Sequence, residues 1–366
     1  MPVLLHHQRR LRALRRQMQH EQIEALLVTH PADVRYLCGF TGSNAALGIT
    51  AARAVMFTDG RYTGQARQET VGARVVIASK SAQREACAWL ESSGADRCFF
   101  DPDHTTIAEL ARFRQFLSGA RRRSFFHPLA KPLVLNLRLL KDAEELKLIR
   151  QSAQLGVRLY EALLPQIQSG VAEAEIAGQL EFNARLHGAD GMSFETIVAG
   201  GSRSALPHGR ATGMPLPRRG FVTLDFGVIL KGYCSDMTRT VFLGRATRQE
   251  RFTYDAVREA QLAAVESVKP GVRCEDVDQA ARSVLRKAGL AQYFTHSTGH
   301  GVGLEIHEPP RIGAAQEQIL VPGMVITIEP GAYIPGKFGV RIEDMVAVNK
   351  NGAEVLTPAP AAWMQL

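Results

Sequence analysis

Five side chains of metal-binding type occur in a fixed order between positions 221 and 343. They are Asp225 in Thr-Leu-Asp-Phe-Gly, Asp236 in Cys-Ser-Asp-Met-Thr, His300 in Gly-His-Gly-Val-Gly, Glu329 in Ile-Thr-Ile-Glu-Pro-Gly, and Glu343 in Val-Arg-Ile-Glu-Asp. Each carboxylate lies in or at the end of a run that reads as a strand. The runs 221–225 and 324–329 are β-rich and close on glycine or proline. Residues two apart in a strand share a face, so Asp225 projects with Thr223, Asp236 with Cys234, Glu329 with Thr327, and Glu343 with Arg341. An acid ending an apolar, core-type strand is costly unless its charge is compensated. One such acid is explained by a hydrogen bond or an ion pair. Four of them, with a glycine-flanked histidine between, are most simply explained by cations. Four carboxylates and an imidazole form a mostly hard set that suits Mn²⁺, Co²⁺ or Fe²⁺ and admits Zn²⁺. Four acids exceed the need of a single ion, whereas bridging carboxylates can hold two ions about 3.5–4 Å apart and activate a water between them.

The region resembles the catalytic domain of the M24 metallopeptidases, the pita-bread fold. It is most similar to the proline-specific branch, the Xaa-Pro aminopeptidases and Xaa-Pro dipeptidases (prolidases). The ligand order Asp, Asp, His, Glu, Glu is complete, and the resemblance covers nearly the whole chain, less diagnostically in the N-terminal third. It implies a dinuclear-metal exopeptidase holding two divalent ions, Mn²⁺ foremost, on Asp225, Asp236, His300, Glu329 and Glu343. The substrates it implies are peptides with proline at the second position, and the assembly a homodimer. The main expectation is an Xaa-Pro aminopeptidase. The alternatives are an Xaa-Pro dipeptidase and, more remotely, a non-catalytic binding protein on the same fold, which typically loses ligands. Methionine aminopeptidases share the ligand set but lack an N-terminal domain of this kind. Creatinase-like hydrolases share the fold without the full set.

Three more histidines, His208, His296 and His307, fall in glycine- and proline-rich sequence that favours loops and close backbone approach. By the resemblance, His208 helps bind substrate and stabilise the transition state. His296 lines the pocket for the proline side, and His307 assists proton transfer and oxyanion binding. Arg341 shares a strand face with Glu343, which places its cation near the metal site or the substrate's C-terminal side, or in an ion pair with one of the acids. Glu329 or Glu343 passes a proton to the leaving proline nitrogen. Phe194 stands where some family members have tyrosine, and Cys234 reads as a small packing residue rather than a ligand.

Positioning these groups takes α/β architecture in two domains, expected at 1–130 and 131–366. In the first, helical and strand periodicities alternate: a helix at 7–20, a strand at 24–29, a turn at 30–33, a glycine-broken loop at 36–44, a strand pair at 45–49 and 53–58, and further alternation to 117. No phosphate-binding glycine loop occurs there, so this domain is assigned no chemistry; the resemblance gives it a role in the subunit interface and in shielding the site. The stretch 119–132, with prolines and an arginine run, is the expected junction. The second domain opens on an amphipathic helix with Asp142 as cap and Glu145 completing a capping box. It also repeats itself weakly. Gly170-Val171 and Gly271-Val272 each open a helix, which ends near Gly188 and Gly289 respectively. Two like halves around a pseudo-twofold axis would each give two carboxylates, with His300 unmatched.

Composition excludes several other classes. Hydrophobic content of 45% and charged content of 22% are those of an ordinary globular chain. The net charge of +8 comes with basic clusters at 9–16 and 121–123 that lack interleaved aromatics or a nucleic-acid module, so no nucleic-acid partner is expected. No run of about 18 apolar residues occurs, so no membrane span is expected. The start lacks the pattern of a signal peptide, and the five cysteines are scattered, which fits reduced thiols in a cytoplasm.

Overall fold

The computed structural model describes residues 2–119 and 121–366. The chain divides into two compact units, Met1–Arg138 and Leu139–Leu366. The first is built on a six-stranded sheet in the order Arg74–Ile77, Ala54–Thr58, Ala45–Thr50, Ala25–Val28, Cys98–Phe100, Phe126–Pro128. Ala25–Val28, four apolar residues buried throughout, is a central strand, antiparallel to Ala45–Thr50 and parallel to Cys98–Phe100. One local expectation fails. Residues 31–38 form the helix Pro31–Cys38 rather than a turn and the start of a loop. Proline at the first helical position has no N–H to lose there, and the helix stops at Gly39, whose φ of 84° is the left-handed cap glycine favours.

The junction lies later than expected. Helix Leu133–Arg138 closes the first unit instead of opening the second, because Leu133 and Val134 are buried and Arg138 pairs with Asp33 at 2.8 Å. Ala120, in the expected junction, lies outside the described residues.

In the second unit Asp142 caps helix Ala143–Leu163. Its carboxylate accepts from the Glu144 and Glu145 amides, and Glu145 accepts from the Asp142 amide, each bond 3.0 Å long. The internal repeat is plain in the backbone. A helix of 21 residues is followed by one of 14, Glu173–Leu186. Then Arg248–Ser267, with 20 residues, is followed by Cys274–Lys287, with 14. At the start of each shorter helix the same bonds recur. The Gly170 amide donates to Leu216 O and the Gly271 amide to Leu320 O, both at 2.9 Å. Leu216 N–H returns to Val171 O and Leu320 N–H to Val272 O, both at 2.8 Å.

Each half buries its own strands. Ile197–Gly200, Gly220–Phe226 and Met237–Leu243 form an antiparallel sheet. Its Val222, Leu224 and Val241 pack with Leu155, Leu159, Ile176 and Leu180 of the first helix pair. The second half has a five-stranded sheet including Gly299–Gly301, Val325–Ile328 and Asp344–Asn349. There Ile326, Ile328 and Val346 pack with Val257, Ala260, Val277 and Leu285. Each large apolar side chain so buried contributes about 1.5–3 kcal/mol, which anchors the strand ends that carry the acids. Among the described residues no helix is long and apolar enough to cross a membrane.

Candidate metal centre

The acids arrive in pairs because antiparallel neighbours bring their ends together. Asp225 stands in strand Gly220–Phe226 opposite Thr238, and Asp236 immediately precedes the neighbouring strand Met237–Leu243. In the other half Ile328 pairs with Asp344, so Glu329 and Glu343 sit just beyond the paired ends. His300 is held in strand Gly299–Gly301, beside Val325–Ile328. A Cβ at Gly299 would fall 1.9 Å from Thr327 O, and one at Gly301 would fall 2.1 Å from Pro309 O. The flanking glycines are therefore required for the close packing that aims this histidine. Across the halves, the Glu343 amide donates to Thr238 O at 3.1 Å, and the Thr238 hydroxyl donates to Glu343 Oε2 at 2.7 Å.

Asp236, His300 and Glu343 offer ligand atoms that all lie within 4.8 Å of one another. His300 Nδ1 lies 3.0 Å from Gly301 O, an atom that only accepts, so Nδ1 carries the proton and Nε2 keeps its lone pair. That Nε2 stands 3.5 Å from Asp236 Oδ2 and 3.5 Å from Glu329 Oε1. Burial pushes the imidazole down to about 4 and so holds it neutral. Burial, and then the charges of Glu343, Asp225 and Glu329, hold the Asp236 carboxyl well above the usual range. Burial and then Glu329 and Asp225 do the same to Glu343, and Glu329 is pushed up to about 8, chiefly by burial. Asp225 Oδ1 is buried with no hydrogen-bond partner among the described residues. A neutral imidazole with an available lone pair, an orphaned carboxylate oxygen and carboxyls lacking counter-charge make a donor set that fits divalent cations.

Arg341 takes the ion-pair option. Its guanidinium donates to Asp225 Oδ2 at 2.5 Å, the Tyr333 hydroxyl at 2.7 Å, Thr238 Oγ1 at 3.0 Å and Pro207 O at 3.1 Å. Tyr333 carries no signal in the sequence, although it stands four residues after Glu329 in a strand that pairs with the Arg341 strand. Its hydroxyl also lies 2.9 Å from His296 Nε2, while His296 Nδ1 lies 2.8 Å from Ser297 O. Ser297 O accepts from Nδ1–H, so Tyr333 donates to Nε2 and His296 is neutral. Burial, with Arg341, His208 and Arg282 adding repulsion, pushes this histidine down to about 4. His307 is exposed, its ring centroid 4.5 Å from that of His300 in an edge-on contact. His208 is exposed in the turn beyond the short 3-10 helix Gly201–Ala205, and the carbonyl of its neighbour Pro207 is tied to Arg341. Phe194 is partly buried, and Cys234 packs against Ile149, Ala153 and Met345.

Replacing Arg341 with Leu is expected to destabilise the cation-free protein by about 3–5 kcal/mol, the cost of leaving a buried charge without its partner. The check is a lower urea midpoint at unchanged slope. Arg341→Lys is expected to recover only part of the loss, since one ammonium cannot serve contacts spread over a planar fork.

The sequence profile of metallopeptidase family M24 matches residues 147–350, and that of the creatinase/prolidase N-terminal domain matches residues 10–138. Among curated relatives, the uncharacterized peptidase YqhT of Bacillus subtilis is 39% identical over 338 residues, which are 92% of this chain and 94% of that protein. Among solved structures, an Xaa-Pro dipeptidase from Bacillus anthracis superposes with a TM-score of 0.94 at 38% identity, over 98% of this chain and 100% of that one. The prolidase from Pyrococcus horikoshii gives a TM-score of 0.91 at 31% identity, over 97% and 100%. The mixed α/β architecture is thus a creatinase/prolidase N-terminal domain followed by a pita-bread domain. With the family come hydrolysis of peptides and the use of divalent metal ions. The chain belongs to metallopeptidase family M24, in the branch that holds the prolidases.

Proposed function

We propose that the chain is an Xaa-Pro dipeptidase that holds two divalent cations, Mn²⁺ foremost, on Asp225, Asp236, His300, Glu329 and Glu343. The observation that carries it is the convergence of Asp236, His300 and Glu343 within 4.8 Å, in a chain alike over its whole length to an Xaa-Pro dipeptidase. On sequence alone the aminopeptidase stands first; the likeness to dipeptidase and prolidase structures moves the reading to dipeptides.

When bound, the cations supply Lewis acidity and an activated water. The chain supplies the rest. Thr238 and Thr327 fix one oxygen each of Glu343 and Glu329. Glu329 is partly buried where Glu343 is buried, and so is the acid that passes a proton to the leaving proline nitrogen. His307, at the open edge beside His300, holds and gives a proton at the carbonyl oxygen as it gains charge. His296, kept neutral between Tyr333 and Ser297, presents an uncharged wall to the proline ring. Arg341 orients Asp225 and, through Pro207, the His208 turn, from which His208 reaches substrate. Five buried thiols support a reducing compartment such as the cytoplasm, and a homodimer is the assembly we assign.

The test is paired hydrolysis by the Mn²⁺-loaded protein. An Xaa-Pro dipeptide is expected to be cleaved faster than the matching Xaa-Pro-Yaa tripeptide. Preference for the tripeptide would mean an Xaa-Pro aminopeptidase, and cleavage of neither with metal bound would remove the proline assignment.

A further inference from the structure

We propose that His30, Asp33 and His104 form a second divalent-metal site, in the N-terminal unit, for an imidazole-preferring ion of the Zn²⁺ type. The sheet creates the juxtaposition. Ala25–Val28 and Cys98–Phe100 are parallel neighbours, so the segments that leave their C-terminal ends emerge side by side. His30 and Asp33 lie on one segment and His104 on the other. The three residues offer ligand atoms within 4.8 Å of one another, and His30 Nδ1 stands 3.5 Å from Asp33 Oδ2.

His30 occupies the cap position of helix Pro31–Cys38, where Ser, Thr, Asp or Asn is favoured for its capping bond, yet its side chain makes no such bond. Asp33 is already compensated, since Arg138 donates to its Oδ1 at 2.8 Å with both side chains at most 2% exposed. A carboxylate satisfied by that arginine gains little from two imidazoles, but the arginine fixes Oδ2 toward them, as an outer partner does for a metal-bound carboxylate. The two rings are stacked, with centroids 3.7 Å apart and planes 1° from parallel. The cavity that these residues line, together with Asp101, has a volume of about 10 Å³. That is the space of one water-sized sphere, too small for a peptide and sufficient for an ion. Asp101, its carboxyl raised mainly by burial and its Oδ1 accepting from the Asp103 amide, also lines the cavity. Two imidazoles with carboxylate oxygen are a donor set for Zn²⁺, Ni²⁺ or Co²⁺, unlike the oxygen-rich catalytic set with its single histidine.

The test uses the full chain loaded with Zn²⁺ and dialysed. The wild-type protein is expected to retain one more zinc per chain than His104→Gln, while kcat/KM on an Xaa-Pro dipeptide is the same in both. A second measurement is zinc X-ray absorption of His300→Ala, whose catalytic set has no imidazole left. Two imidazole neighbours are expected around its zinc. Equal metal content in wild type and His104→Gln, or zinc in His300→Ala without imidazole neighbours, would overturn the site.

Discussion

Replacing Glu343 with Gln is expected to lower kcat on an Xaa-Pro dipeptide by roughly 10³-fold, the scale of losing one preorganised charge from a reacting centre. Glutamine has the same shape, and its amide oxygen can still accept from the Thr238 hydroxyl, which lies 2.7 Å from Glu343 Oε2. What it lacks is the charge. Glu343 is 2% exposed, and in the absence of cations burial, and then Glu329 and Asp225, hold its carboxyl well above the usual range. The same substitution therefore raises the thermal midpoint of the cation-free protein at pH 8 while it removes activity, a trade seen where a site is assembled against its own stability. Calorimetry on chelated samples, beside steady-state kinetics, checks both halves. An unchanged kcat would remove Glu343 from the ligand set.

Stripping the cations is expected to make stability fall as pH rises from 6.5 to about 8. In the folded chain the Asp236 and Glu343 carboxyls stand well above their usual range and Glu329 is pushed up to about 8, by burial first. Unfolded, they ionise near 3.8 and 4.5. The folded state thus binds more protons, so the stability these groups confer is complete below the unfolded values and is lost as pH climbs through the raised ones. His296 and His300, both depressed to about 4 from an ordinary 6.5, act the other way, most strongly between those values, where an unfolded imidazole gains a proton that the folded one does not. That contribution fades as pH rises past 6.5, and towards 8 the raised carboxyls dominate. A tenfold change in proton affinity on folding corresponds to about 1.4 kcal/mol, so even part of the Glu329 rise is measurable. Thermal midpoints of the chelated protein should drop across this window, and Mn²⁺ should abolish the drop by binding the ionised carboxylates. A midpoint that rises with pH after chelation would contradict the account.

Much of this centre was legible because its parts obey local rules. An acid at the end of an apolar strand is conspicuous, and Asp142 with Glu145 is a capping box in the sequence and in the structure. The repeat was legible in the paired glycines, Gly170 with Gly271, whose φ values are 90° and 89°. What escaped depends on distance in sequence or on competing signals. Pro31 reads as a turn former and as a helix starter, and the buried Val34, Tyr36 and Leu37 decide for the helix. Tyr333 is a tyrosine in a β-rich run until the fold sets it between Arg341 and His296. Arg341 shares the strand parity of Glu343, but its long side chain reaches Asp225 of the other half, which pairwise alternation cannot foresee. His30 and His104 meet only because two parallel strands end together.

Neither half of the second unit owns the whole of the proposed cation site. Asp225 and Asp236 come from one, and His300, Glu329 and Glu343 from the other. The bonds that join them, Thr238 to Glu343 and Arg341 to Asp225, close loops of 105 and 116 residues. Such closures cost chain entropy before any contact repays it, and they slow the search for the native state. In a refolding experiment the helices and local strand pairs can return while the acids remain apart. Cation uptake then keeps time with the last long-range closure, and a bound ion marks a chain whose topology is finished.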